Sequence, residues 1–234
     1  MNTIESLYRD LSYGEFSNLA LSNDGGGTIQ EAAQPKIILA ANEGLLRLYS
    51  KFVLKERDLL IRMVSGVIHY HLLSRFATSH QPKVEQHTYI QDMLHEPFED
   101  DVIRIMAVYN SAGIELPLND LESPMSVFSP QANVLQVPQP THGVPLSILY
   151  QARHVKLDPT KPEQPIELPD VLWGALTAFI AYKVFSQMNT AESTAKAQEH
   201  YSNYELLCQD VIDRDLVCTS GVTTNTRFDK RGWA

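Results

Sequence analysis

The chain has 234 residues, with 19 Lys and Arg against 28 Asp and Glu, so its formal net charge is −9 with neutral histidines. A hydrophobic content of 44% excludes wholesale disorder and suits one ordinary domain or two small ones, because a chain of this length buries roughly 70% of its unfolded surface. Residues 1–53, 54–158 and 159–234 carry −2, −4 and −3, so no segment is a basic block, which argues against nucleic-acid binding by counterion release as the main role.

Thr3 caps a predicted short helix whose apolar positions Ile4, Leu7, Tyr8 and Leu11 recur at helical steps. A polar loop containing Asn23-Asp24-Gly25-Gly26-Gly27 follows, and a second helix is predicted from near Pro35, presenting Ile37, Ile38, Ala41, Leu45, Leu48 and Tyr49 to a core. These make an N-terminal helical segment, residues 1–53.

From about Leu54 the period changes to two. Leu59, Ile61 and Met63 alternate with Leu60 and Arg62, Ser65-Gly66 offers a turn, and Val67, His69, His71 and Leu73 alternate with Ile68, Tyr70 and Leu72, which predicts a hairpin. Residues 78–101 are polar and acidic and read as a long surface excursion carrying Asp92, Glu96, Glu99, Asp100 and Asp101. A strand is predicted over 102–109, a turn at 110–113 and a short continuation at 114–116, with further strands at 125–128, 133–137 and 146–152. Prolines 130, 138, 140 and 145 favour short edge or sandwich strands over a long parallel sheet. Residues 54–158 therefore read as a β-rich module.

Residues 159–218 read as a helical hairpin. Asp170 falls in the first turn of a helix with Leu172, Ala175, Leu176, Phe179, Ile180 and Phe185 on or near one face. After a break near Asn189-Thr190, a second helix places Ala197, Tyr201, Tyr204, Cys208 and Val211 on one stripe, and the short connection makes the two antiparallel neighbours. The helical parts are expected to pack as one domain. Residues 219–234 form a polar C-terminal tail with isolated Val222, Phe228 and Trp233. The predicted fold class is α+β.

Chemistry-bearing patterns are sparse. The triple glycine has no Lys until Lys36 and is no phosphate loop. His69 and His71 share one strand face but have no sequence-local third ligand, and His95-Glu96 is followed at once by Pro97, which breaks a zinc-protease helix. The carboxylates of 92–101 lack the spacing of a calcium loop. Ser193-Thr194-Ala195-Lys196 matches SxxK without a companion motif and reads as a helix start, with Thr190 as cap and Ser193 and Lys196 facing solvent. Cys208 and Cys218 are too few for a disulfide scaffold and lack CxxC spacing, which fits a reducing compartment. The N-terminus MNTIESLYRDLSYGE reads as no targeting signal, and no apolar run approaches the roughly 20 residues of a membrane span. The expectation is a soluble protein that is no enzyme, holds no cofactor or metal, and works by making surfaces. The rival reading is a metal-dependent hydrolase using His69, His71 and the 92–101 carboxylates.

A series of blocks resembles the head-to-tail adaptor proteins of tailed bacteriophages, especially short-tailed ones. They are Asp101-Val102-Ile103-Arg104-Ile105 through Val108-Tyr109, Gly113-Ile114-Glu115-Leu116-Pro117-Leu118-Asn119-Asp120, Leu135-Gln136-Val137-Pro138, Tyr150-Gln151-Ala152-Arg153, and Ile166-Glu167-Leu168-Pro169 with Ala175-Leu176 and Ala181-Tyr182. The resemblance covers about residues 35–215; the 78–101 excursion is longer than the pattern. It implies a virion structural protein of the neck, made in the host cytoplasm. About twelve copies would form a ring beneath the portal protein, present a platform to a tail tube or nozzle protein, and let genomic DNA pass through the lumen without sequence-specific binding. Twelve copies at −9 carry −108, and acidic walls let DNA slide. A more distal minor tail protein is the variant of this reading. On the adaptor reading, residues 219–234 are mobile in the free subunit and order on the portal. Phe228 and Trp233 are the expected aromatic anchors, with Arg227, Lys230 and Arg231 meeting acidic portal groups. Leu172, Phe179, Tyr201 and Tyr204 of the helix pair are the expected subunit interface, and the glycines at 25–27 let the first helix reach a neighbour.

Overall fold

The computed structural model describes residues 2–17, 19, 28–79, 88–93, 95, 97–188 and 190–217. The protein is α+β, and it divides into one unit formed by Met1–Gly44 with Leu157–Ala234 and a second formed by Leu45–Lys156. The glycines at 25–27 and the whole of 219–234 lie outside the described residues.

In the first unit, helix α1 (Ile4–Tyr13) starts where Thr3 can satisfy orphan amides. The Ser6 amide donates to Thr3 Oγ1 at 3.2 Å and the Thr3 amide to Ser6 Oγ at 2.8 Å, a reciprocal cap. Ile4, Leu7, Tyr8 and Leu11 are all buried, as their spacing predicts. The residues around this cap pair with a distant stretch: the Ile4 amide donates to the Gln164 carbonyl at 3.2 Å, Glu5 to Pro162 at 3.0 Å, and Ile166 back to Asn2 at 2.8 Å. Helix α2 (Gln34–Lys51) has Pro35 as its second residue, where an N–H would have no intrahelical partner anyway.

A 3-10 turn, Asp170–Leu172, precedes α3 (Trp173–Phe185), so Asp170 sits ahead of the helix instead of in its first turn. Helix α3 is apolar nearly all round, which marks it as a helix packed on several sides, and Ala175, Leu176, Ala178, Phe179, Ile180, Ala181, Val184 and Phe185 are buried. Helix α4 (Ala191–Asp213) is amphipathic, with Ala197, Tyr204, Cys208 and Val211 buried along one stripe. Ring pairs Phe179–Tyr204, Tyr182–Tyr201 and Phe185–His200, with centroids 5.3, 5.0 and 5.2 Å apart, run up one helix and down the other, so α3 and α4 are antiparallel.

The start of α4 differs from expectation in one respect. Thr190 caps it, but Ser193 is buried, because its hydroxyl turns back to accept the Thr190 amide at 3.0 Å while its own amide donates to Thr190 Oγ1 at 3.1 Å. Lys196 is half exposed and pairs with Glu192 one turn earlier at 3.5 Å.

The second unit contains two antiparallel sheets. Strands β1 (Glu56–Arg62), β3 (Ile90–Gln91), β4 (Val102–Tyr109), β5 (Glu115–Leu116) and β8 (Pro145–Ala152) form one, in the order β3-β1-β8-β4-β5. Strands β2 (His69–His71), β6 (Phe128–Gln131) and β7 (Val134–Gln136) form the other, in the order β2-β7-β6. A single core draws on both: Leu59 and Ile61 of β1, Tyr70 of β2, Ile105 and Val108 of β4, Leu135 of β7, and Leu146, Ile148 and Tyr150 of β8.

The predicted hairpin between β1 and β2 does not form. Gly66 makes the turn at a φ of +80°, yet β1 pairs along its length with β8, and β2 crosses to pair with β7 in the other sheet. Alternation marks a strand without naming its partner. Nor is 78–101 only a surface excursion, since Tyr89, Ile90 and Phe98 are buried and β3 is an edge strand of the larger sheet. The C-terminal part of α2 belongs to the β module, because Gln151 Nε2 donates to the carbonyls of Tyr49 and Phe52, and Tyr49 packs edge-on to His154. The division therefore falls inside α2.

Candidate functional site

Leu172, Phe179 and Tyr204, expected to meet a neighbouring subunit, are at most 2% exposed and pack inside their own unit. Tyr201 is partly buried between Tyr182 and Tyr204. The surface α4 offers is the opposite, largely polar side, with Leu206 and Ile212 exposed on it. The residues expected to bind a portal, Arg227, Phe228, Lys230, Arg231 and Trp233, lie outside the described residues.

His69 and His71 are both exposed on β2, flanking the buried Tyr70. No group of three or more His, Cys, Asp or Glu side chains able to hold a metal ion occurs among the described residues. Asp92 and Asp100 of the acidic stretch are instead tied to separate chain segments. Asp100 accepts the amide of Ser74 and, at 2.7 Å, its hydroxyl. Asp92 accepts the Ser79 amide at 2.8 Å, the Ser79 and Thr78 hydroxyls, and the Phe98 amide at 3.0 Å. Desolvation works to raise the Asp92 pKa, but these donors outweigh it and hold the carboxyl down at about 2. Asp92 thus fastens the segment that carries Phe98 into the core.

Asp101 is 6% exposed and accepts two side-chain donors, Arg57 Nη1 at 3.1 Å and the Tyr150 hydroxyl at 2.9 Å. Arg57 is in phase with Leu59 and Ile61, so its side chain leaves β1 on the core side, where a charge needs a partner. That phase is the one sequence signal for this group, and it is absent from the candidate residues that motif spacing picks out.

Next to this group lies a groove of about 460 Å³. One wall is β1 from Glu56 to Leu60; the other is Gln91, Asp92, Met93, Pro97 and Phe98, with Tyr150 between them. Leu60 and Met93 are exposed at its rim, at 43% and 62%. On the solvent side of the sheet, Glu56 and Asp58 of β1 and Glu115 of β5 approach Tyr109. Burial raises the Tyr109 phenol's pKa, and these three carboxylates raise it further. The site is a partly apolar, acid-rimmed groove along a sheet edge, suited to binding a chain segment. No family model matches this protein, and no curated protein matches it.

Proposed function

We propose that the protein is a virion structural component of the phage neck, a head-to-tail adaptor. About twelve copies would ring the lumen below the portal protein, receive a tail tube or nozzle protein, and leave a passage for DNA. The observation that carries this reading is where the resembling blocks fall. The blocks at 101–109, 135–138 and 150–153 fall on β4, β7 and β8 and the pairs Ala175-Leu176 and Ala181-Tyr182 on α3, which belong to the framework of the two units, while 113–120 only brackets the two-residue β5 and 166–169 is the irregular stretch ahead of α3. The engagement of Asp92, Asp100 and Asp101 in hydrogen bonds within the fold also favours a surface-making role over metal chemistry. The helix-pair residues are committed to their own core, so the lateral contacts of the ring fall to other surfaces.

In this reading residues 219–234 dock on the portal through Phe228, Lys230, Arg231 and Trp233, with Arg227 at the start of the basic stretch. Negative-stain imaging of the protein mixed with the portal of its phage tests it. Rings of about twelvefold symmetry on the portal, lost on deletion of 219–234, are the expected result; absence of the protein from the neck of assembled particles would overturn it.

A further inference from the structure

Strand β1 is paired along its whole length with β8 on one edge, whereas on the other, among the described residues, only its Leu60–Arg62 end is paired. On the β8 side the odd-numbered positions make the ladder, because the Met63 amide donates to the Val144 carbonyl at 3.0 Å and the Ala152 amide to the Lys55 carbonyl at 2.9 Å. Alternation then turns the N–H and C=O groups of Glu56, Asp58 and Leu60 to the other side. There β3 pairs with Leu60 and Ile61, the Arg62 amide donates to the Tyr89 carbonyl at 2.7 Å, and no described strand lies beside Glu56 or Asp58 on that side. These two residues line the 460 Å³ groove, and both side chains are exposed, their carboxylates acting on Tyr109 across the sheet. An exposed edge of this kind is a template for an added strand.

We infer that this edge receives residues 222–227 of a second copy as an added β-strand, joining subunits head to tail. Three properties of the chain select that occupant. Val222-Thr223-Thr224-Asn225-Thr226-Arg227 is rich in β-branched residues and holds neither Gly nor Pro. It begins a segment, 219–234, in which Arg227, Lys230 and Arg231 stand against the one acidic residue Asp229, whereas the groove walls carry Glu56, Asp58 and Asp92 against Arg57, which already pairs with Asp101. Residues 218–234 follow the described chain, more length than a six-residue strand needs.

With Thr223, Asn225 and Arg227 opposite the hydrogen-bonding positions of β1, Arg227 lies on the side of the Glu56 and Asp58 carboxylates, and Val222, Thr224 and Thr226 turn toward Tyr150 and Phe98. A donor segment and an acceptor groove on one chain make a heterologous contact, which closes into a ring when the rotation permits. The inference rests on the ring reading for its biological setting and assigns 222–227 to the neighbour, leaving 228–234 for the portal.

The test uses full-length chains without portal. Asp58→Pro removes an amide that faces the bare edge and spares the β8 ladder; Asn225→Pro disables the donor segment outside the described fold. Light scattering should show concentration-dependent association of the parent protein, and either variant should weaken it about tenfold or more, the loss of one or two strand hydrogen bonds. Mixed together, the two variants should give a one-to-one dimer, since Asp58→Pro still donates and Asn225→Pro still accepts. A parent protein that stays monomeric, or an Asn225→Pro variant that associates like the parent, overturns the inference and leaves Glu56 and Asp58 as guards against edge pairing. If the variants complement but no ring forms on the portal, strand addition stands and the adaptor reading fails. If rings form on the portal from a mixture that never complements, the adaptor reading stands and strand addition fails.

Discussion

Arg57 and Asp101 meet as an ion pair at 3.1 Å across 44 residues of sequence, with side chains 20% and 8% exposed. Such a pair is worth little against an apolar replacement, but breaking it strands a charge. Asp101→Ala should destabilise the second unit by about 3 kcal/mol, whereas Tyr150→Phe, which removes only one hydrogen bond to the same carboxylate, should cost about 1 kcal/mol. Urea denaturation of the two variants reads the difference.

Asp92 gives the β module an acid-labile fastening. Its folded pKa of about 2 lies below the ordinary 3.8, so the stabilisation is fully present above pH 4 and fades as pH falls through 2. The contribution is on the order of 1 kcal/mol after allowance for its partial solvent exposure. Asp92→Asn should lose that stability at neutral pH and flatten the dependence between pH 4 and 2, which denaturation at a series of pH values measures.

Two glycines should respond oppositely to alanine. A Cβ on Gly44 would lie 2.9 Å from Phe179 Cδ1 and 3.0 Å from Leu176 Cδ1, so Gly44→Ala should cost about 1–2 kcal/mol despite its better helix propensity. At Gly174 the nearest atom is Leu207 Cδ1 at 3.5 Å, ordinary contact, and Gly174→Ala should gain about 0.5 kcal/mol. Thermal unfolding of both variants checks the sign of each.

The Tyr8 hydroxyl is buried without a hydrogen-bond partner among the described residues, and burial pushes its pKa up to about 12. An unpaired buried hydroxyl costs more than it returns, so Tyr8→Phe should stabilise the protein by about 1 kcal/mol. Because the phenol is raised above its ordinary value of 10, the parent protein loses stability as pH rises above 10. Tyr8→Phe should soften that loss, as alkaline denaturation curves would show.

Much of the local structure was legible because it is written in short periods. Thr3 and Thr190 announce their helices, Ile4, Leu7, Tyr8 and Leu11 mark a buried face, and the alternation over 102–109 gives β4 to the residue. What stayed hidden depends on partners distant in sequence. Nothing in Leu59, Ile61 and Met63 says that β8, some ninety residues on, will pair with them instead of the segment after Gly66. The same holds for the groove: its walls come from β1 and from 91–98, and its character follows from β3 being too short to cover Glu56 and Asp58. Composition marked 92–101 as acidic, but the hydrogen-bonding duties of Asp92, Asp100 and Asp101 appear only once Thr78, Ser74 and Tyr150 are brought to them. The aromatic stripe of the helix pair suggests an interface from sequence because it is conspicuous; in the fold Phe179 and Tyr204 are consumed by α3 and α4 facing one another.

The pairing of residues 2–5 with 162–166 sets an order of events at the ribosome. The N-terminal stretch is synthesised first but must wait for its partner until the whole inserted β module has emerged, so the insert can mature while its host is still half made. A nascent chain arrested when residue 156 has just cleared the ribosomal exit tunnel, with 162–166 still inside it, should therefore resist protease across the β module while α1 remains open to cleavage.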